Sequence, residues 1–244
     1  MVRTNLASML ILLAGCFFLL AQDEGKLKSG PKIGASMPAS FECVIVTKHD
    51  QKDDDKNKKK ENRRYCLVCK FGLHPSVLIL AKEPAAGKDQ AFTDLVKQLD
   101  EMVGEFAERS FSAGVVVISP DARDSTNNPQ AASVKDLTQD VDKDSEEAVK
   151  RIREQAKKLN DEEVARAGLL KRLIKRSEGL KRVVVGFVPE VPKSYEINPN
   201  AELTVIFYER VKVIETYAYG PGELNAGNVK TMVDRVRRTL SGKK

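Results

Sequence analysis

Three short stretches of this chain are apolar almost without interruption: residues 76–81 (SVLILA), 115–119 (VVVIS) and 183–188 (VVVGFV). A strand with one wet face alternates apolar and polar side chains, so runs of this kind are read as strands covered on both faces. Between the first two runs, Phe92, Leu95, Val96, Leu99, Met102, Val103 and Phe106 recur at helical spacing. They form one apolar stripe on a helix whose other face is charged, and Asp89 is placed to cap its start. Strand, helix and strand in that order predict a parallel crossover. Residues 204–208 (TVIFY) and 212–217 (KVIETY) are too close together for a crossover and predict an antiparallel hairpin. A closing helix follows on Val229, Met232, Val233, Val236 and Leu240, entered through Gly220-Pro221-Gly222.

The expected architecture is therefore α/β, a mixed sheet sandwiched by helices. Hydrophobic residues make up 41% of the 244, enough for a packed core despite 31% charged residues. Residues 41–47 (FECVIVT) read as the first strand. Residues 48–64 hold eight basic and five acidic residues with no large apolar side chain, so they predict a solvated loop insertion; Asp53-Asp54-Asp55 within it lacks calcium-loop spacing. Residues 121–142 are polar and read as loop. Two cap-like clusters, Asp144-Ser145-Glu146-Glu147 and Asn160-Asp161-Glu162-Glu163, predict two helices, about 145–159 and 162–177. Loop and helices together form an insertion over 121–180 within a domain spanning 37–240.

The N-terminus sets the expected compartment. Residues 6–21 (LASMLILLAGCFFLLA) are uncharged and follow Arg3, the pattern of an export signal with cleavage after Ala21. Sixteen residues fall short of the roughly 20 that a membrane-spanning helix needs. Leu13-Ala14-Gly15-Cys16 also resembles a bacterial lipoprotein signal, in which Cys16 would be lipidated, although the apolar Phe17 to Leu20 after it depart from that pattern. Either route places the folded part outside the cytoplasm, periplasmic or secreted, with membrane attachment only through Cys16. Residues 22–36 form a polar tether.

Net charge is +6, too small a bias to argue a nucleic-acid partner, and no aromatic residues interleave with the basic ones. Residues 150–182 carry twelve basic and five acidic side chains around the apolar stripe Leu169, Leu170, Leu173 and Ile174. That stripe is read as a helix face packing on the sheet, with docking on anionic lipid as the alternative. The chain has no Trp, no nucleophile elbow and no phosphate loop, and its two His stand early, at His49 and His74.

Chemistry concentrates in Cys66-Leu67-Val68-Cys69. Two thiols three positions apart close a small ring and can exchange disulfides with another protein. Arg63, Arg64 and Lys70 lie close in sequence, and a nearby cation favours the attacking thiolate. Outside the cytoplasm the same spacing also suits a static clasp. A third reading is zinc or copper held by Cys66, Cys69 and His74 with Cys43 or His49. Haem attachment fails because Lys70, not His, follows Cys69. Cys43 is read as a core side chain of the first strand, with a resolving thiol as the alternative.

The element order, together with Gly34, Pro38 and Phe41 before the first strand and Leu203 to Tyr208 followed by Lys212-Val213, resembles the thioredoxin-like superfamily, in particular the redoxin domain of peroxiredoxins. The resemblance implies thiol–disulfide oxidoreductase activity at Cys66 and Cys69 without a cofactor, with protein thiols or disulfides as partners. By analogy with thioredoxins, Cys66 would be the attacking thiol. Three departures are visible. The pair precedes the strand at 76–81, and residues 82–89 contain no Cys. Leu203 stands where thioredoxins carry a cis-proline, with Pro199 nearby but out of register. Tyr65 replaces the usual Trp before the first Cys.

Overall fold

The computed structural model describes residues 27–47, 64–83, 90–123 and 146–242. The export segment with Cys16, the charged stretch at 48–63, His49, Asp89 and most of the 121–142 loop lie outside them. The elements in chain order are β1 (Cys43–Ile45), β2 (Arg64–Tyr65), α1 (Leu67–Phe71), β3 (Ser76–Lys82), α2 (Gln90–Glu105), β4 (Ser112–Ile118), α3 (Glu146–Ser177), β5 (Val184–Val188), β6 (Leu203–Glu209), β7 (Lys212–Tyr219) and α4 (Ala226–Leu240). One seven-stranded sheet orders them β2-β1-β5-β4-β3-β6-β7. β3, β4 and β5 are mutually parallel, β6 runs antiparallel to β3, and β7 completes the hairpin. The three unbroken apolar runs thus occupy the three central parallel strands. Those strands are covered on both faces, and six of the seven β3 residues are buried; the neighbouring β6 is buried to the same extent.

The two faces are covered unequally. Val77, Ile79, Val115, Val117, Val185, Phe187, Val205 and Phe207 point to the face packed by Leu95, Leu99 and Met102 of α2, Leu169 and Leu173 of α3, and Val229, Met232, Val233 and Val236 of α4. Asp100 of α2, itself buried, ties this layer to the sheet. Its Oδ1 accepts the backbone N–H groups of Arg182 at 2.7 Å, Val183 at 2.8 Å and Lys181 at 3.0 Å, so a carboxylate inside the helix layer completes the backbone hydrogen bonding at the entry to β5.

The opposite face carries Cys43, Ile45, Leu78, Leu80, Val116, Val184, Ile206 and Tyr208 under a thinner cover of α1, Met37 and Tyr195. Glycine makes that cover possible. A Cβ on Gly114 would stand 2.8 Å from Leu67 Cδ1 and 3.1 Å from the Phe71 ring, and one on Gly186 would stand 3.1 Å from Cys43 Sγ. The missing side chains let α1 and Cys43 lie directly on β4 and β5.

Several boundaries differ from expectation. The two helices predicted over 145–177 are one helix of 32 residues, Glu146–Ser177. Asn160, Asp161 and Glu163 are exposed on it. With no proline there to remove an N–H, the helical ladder runs through a cluster whose composition would also suit a cap. The first strand contracts from 41–47 to Cys43–Ile45, which pairs with Arg64–Tyr65 of β2 and with Gly186 and Phe187 of β5. β4 starts three residues early, at Ser112, where pairing with Ser76 begins. The hairpin strands lengthen to Leu203–Glu209 and Lys212–Tyr219, joined through Arg210 and Val211 at φ 52° and 54°. Those angles are the left-handed pair of a two-residue hairpin turn, met here without glycine, asparagine or aspartate to mark it.

Candidate functional site: the thiol cluster on the thinly covered face

The cysteine segment is the start of a helix. Pairing of Cys43 with Tyr65 brings the chain alongside β1. Cys66 then takes an extended conformation (φ −84°, ψ 119°), and α1 begins at Leu67. Cys66 is the N-cap: its Sγ accepts the backbone N–H of Cys69 at 3.1 Å. Leu67, Val68 and Phe71 are buried against the sheet, and the helix ends at Gly72, whose φ of 60° suits glycine. Cys66 is half-buried, Cys69 is exposed, and both are free thiols. The spacing of one helical turn therefore places one sulfur at the surface and the other just beneath it.

Burial pushes the Cys66 thiol above its ordinary value, and the neighbouring Cys69 thiol adds to this; the backbone amides of Cys69 and Phe41 pull the other way. No cation is among these influences. Lys70, expected to favour the thiolate, instead donates to the Tyr65 hydroxyl at 3.3 Å with its Nζ 4.9 Å from the Tyr65 ring centroid, and burial lowers its own value. Cys43 is the third thiol of the cluster. It is 2% exposed, its Sγ donates to the Tyr65 carbonyl at 3.4 Å, and burial, then the proximity of Cys66, pushes it up to about 12. A thiol so held is protonated at any working pH, as a core residue would be.

His74 lies in the exposed turn after α1, its N–H bonded to Phe71 O at 3.3 Å and its carbonyl taking the Ser76 hydroxyl at 2.9 Å. Among the described residues no three His, Cys, Asp or Glu side chains are grouped to hold a metal, so Cys66, Cys69, His74 and Cys43 do not assemble the ligand set considered above. The Leu169, Leu170, Leu173 and Ile174 stripe packs into or against the core, which removes it as a lipid-docking face.

One cluster was not anticipated. At the carboxyl end of β3, Glu83 accepts Ser119 Oγ at 2.7 Å and Arg172 Nε and Nη2 at 2.8 and 2.6 Å, while Arg172 also reaches Asp121 at 3.4 Å. The four residues are up to 89 positions apart, and no local spacing joins them.

A parallel β-α-β crossover followed by an antiparallel β-β-α unit in one mixed sheet defines a thioredoxin-like fold. No protein-family model matches the sequence, and no curated protein matches it. Among solved structures the chain is similar to a Chlorobium tepidum protein assigned as the thiol:disulfide interchange protein DsbE, at 10% identity and TM-score 0.43, over 88% of this chain and 99% of that one. It is similar also to AhpC of Mycobacterium tuberculosis, at 13% identity and TM-score 0.46, over 87% and 95%. A third is the reduced 2-Cys peroxiredoxin of Plasmodium vivax, at 10% identity and TM-score 0.45, over 87% and 84%. The assignment of fold rests on the strand order and senses described above.

Proposed function

We propose that this is an exported thiol–disulfide oxidoreductase in which Cys66 and Cys69 exchange disulfides with extracytoplasmic proteins. The observation that carries the reading is the placement of two free thiols one helical turn apart, one exposed and one half-buried. The exposed Cys69 thiolate meets a partner disulfide first, forming a mixed disulfide and expelling one partner thiolate. Cys66 then attacks Cys69 Sγ, which forms the Cys66–Cys69 disulfide and releases the second partner thiolate. Two electrons pass from the pair to the partner, and the reverse sequence oxidises a partner dithiol. This order departs from the thioredoxin analogy because exposure, not position in the motif, governs access here.

Export would be directed by residues 1–21, with lipidation at Cys16 as the alternative to cleavage after Ala21. No helix among the described residues is long and apolar enough to cross a membrane. A second reading, a non-catalytic interaction module with a structural clasp, is favoured by the burial of Cys66, which lowers its thiolate fraction at neutral pH.

The reduction potential of the purified mature protein separates the two. A value in the range from about −270 to −120 mV is expected for exchange, whereas one below about −300 mV would indicate a clasp. Trapping settles the order of attack: Cys66→Ser should accumulate mixed disulfides through Cys69, while Cys69→Ser should accumulate few. Stoichiometric bound zinc or copper would displace both readings.

A further inference from the structure

The face of the sheet opposite the thiols is covered by helices but not sealed by them. α2 packs closely on α4 and approaches α3 only loosely, and between α2, the end of α3 and the sheet lies a cavity of about 490 Å³. Val115 and Val117 of β4 and Val185 of β5 form its floor; Phe92 and Val96 of α2 and Leu173 of α3 form its walls. Phe92, Val96 and Val185 each keep 7% of their surface exposed, whereas Val77 and Ile79 on the same face of the sheet keep none. Close-packed interiors leave few voids larger than a water molecule. A gap of this size, floored by central strands, has the dimensions of a small-molecule site.

The mouth has a different chemistry. Lys97 of α2, Arg176 of α3, and Lys181 and Arg182 from the segment entering β5 line it, all exposed, against the exposed carboxylates of Glu101 and Glu178. Among the described residues none of the four cations has an ion pair. The third carboxylate, Asp100, is already engaged, its Oδ1 accepting the N–H groups of Lys181, Arg182 and Val183. That grip fixes the backbone from which Lys181 and Arg182 project. Arg182 is seated at its other end as well. A Cβ on Gly104 of α2 would stand 2.8 Å from Arg182 Cζ and 2.9 Å from its Nε. The guanidinium therefore lies against α2 where glycine, a residue disfavoured inside helices, leaves room for it. A guanidinium held in this way presents the planar donor fork that suits a carboxylate.

We propose that this cavity binds a long-chain fatty acid, with the hydrocarbon chain against the valine floor and the carboxylate at the mouth beside Arg182. Lys97, Arg176 and Lys181 add positive charge around the head group. An apolar interior disfavours ligands that are polar along their whole length, such as nucleotides and sugars, because their polar groups would lose water without finding partners. The cationic mouth then selects an amphiphile with one anionic end. The site lies across the sheet from Cys66 and Cys69 and does not depend on the exchange reading.

The test is binding of cis-parinaric acid, a fatty acid that fluoresces in apolar sites, to the purified and delipidated protein, with palmitate and hexadecanol as competitors. Saturable binding is expected. Palmitate should compete roughly tenfold more tightly than hexadecanol, which has the same chain and no charge. Arg182→Ala, at an exposed position, should weaken palmitate roughly tenfold and change hexadecanol less than about twofold. Val96→Trp, which fills the cavity from its wall, should abolish binding of both. Absence of saturable binding, equal affinities for the two competitors, or a palmitate affinity that Arg182→Ala leaves unchanged overturns the proposal. Binding that survives in a folded Val96→Trp protein also overturns it, since the ligand then sits elsewhere. Should Val96→Trp fail to fold, the competitor pair and Arg182→Ala decide the matter without it.

Discussion

At the scale of single residues, the thinly covered face is dominated by groups that resist ionisation. Cys43 is the clearest. Its thiol ionises near 9.0 in an open chain and near 12 in the fold. Above pH 9 the unfolded chain therefore holds fewer protons than the folded one, and stability contributed by the neutral thiol is present below pH 9 and lost as the pH rises toward 12. Urea unfolding at pH 8, 9.5 and 11 should show the midpoint falling across that window. In Cys43→Ala the fall should be shallower, on top of a uniform packing loss of about 1–2 kcal/mol; an equally steep fall in the variant would refute the assignment. Asp100 is the counterpart on the other face. Replacing it by Ala strands the amides of Arg182 and Val183, and an equilibrium stability loss of about 2–4 kcal/mol is expected. Asp100→Asn, which keeps an acceptor oxygen, should recover part of it.

At the scale of elements, α1 is a helix too short to hold itself together. Five residues close barely more than one turn, so its geometry comes from packing Leu67 and Phe71 into the gap above Gly114. Gly114→Ala pushes a methyl to within 2.8 Å of Leu67 Cδ1. Helix and thiol pair must shift outward together. A stability loss of about 1–3 kcal/mol is expected, with faster alkylation of Cys66 as it becomes more exposed; unchanged alkylation would show that α1 is placed by something else. α3 makes the opposite point. The cap-like cluster at residues 160–163 is genuine as composition, but a cap needs the chain to leave the helical path, and nothing on either side obliges it to do so. Helix propensity and an uninterrupted ladder prevail over the local hydrogen-bonding alternative.

At the scale of the whole molecule, the charged group around Glu83 ties α3 to the ends of β3 and β4. Arg172 is about two-fifths exposed and Glu83 about one-fifth, so solvent screens much of the attraction. Arg172→Ala should cost about 1 kcal/mol at low salt and measurably less at 0.5 M salt. A salt-independent loss would mean that Arg172 acts through its packed stem instead. The consequence for function is spatial. The carboxyl end of β3 is engaged by an ionic group, while α1, which carries Cys69 and is capped by Cys66, packs on the opposite face over Gly114 near the start of β4.

The parts of the fold that could be read before any coordinates are those whose physics is local. Unbroken apolar runs locate the central parallel strands, the seven-position stripe from Phe92 to Phe106 locates α2, and the short interval before Lys212 makes a hairpin unavoidable. Cys66 and Cys69 were visible for the same reason, since a four-residue spacing is a local fact. What surrounds them was not. Cys43 reaches the pair through the pairing of β1 with β2, α1 lies down because Gly114 leaves a gap some 45 positions further along the chain, and Tyr195 and Tyr208 arrive from more than 120 positions away. No periodicity encodes such meetings. The amino-acid order by itself determined the layered α/β architecture and the presence of a paired thiol, because both depend on neighbours along the chain. Only the tertiary structure decided which sulfur faces solvent and which stays protonated, because strand register and glycine gaps set those distances between residues remote in the chain.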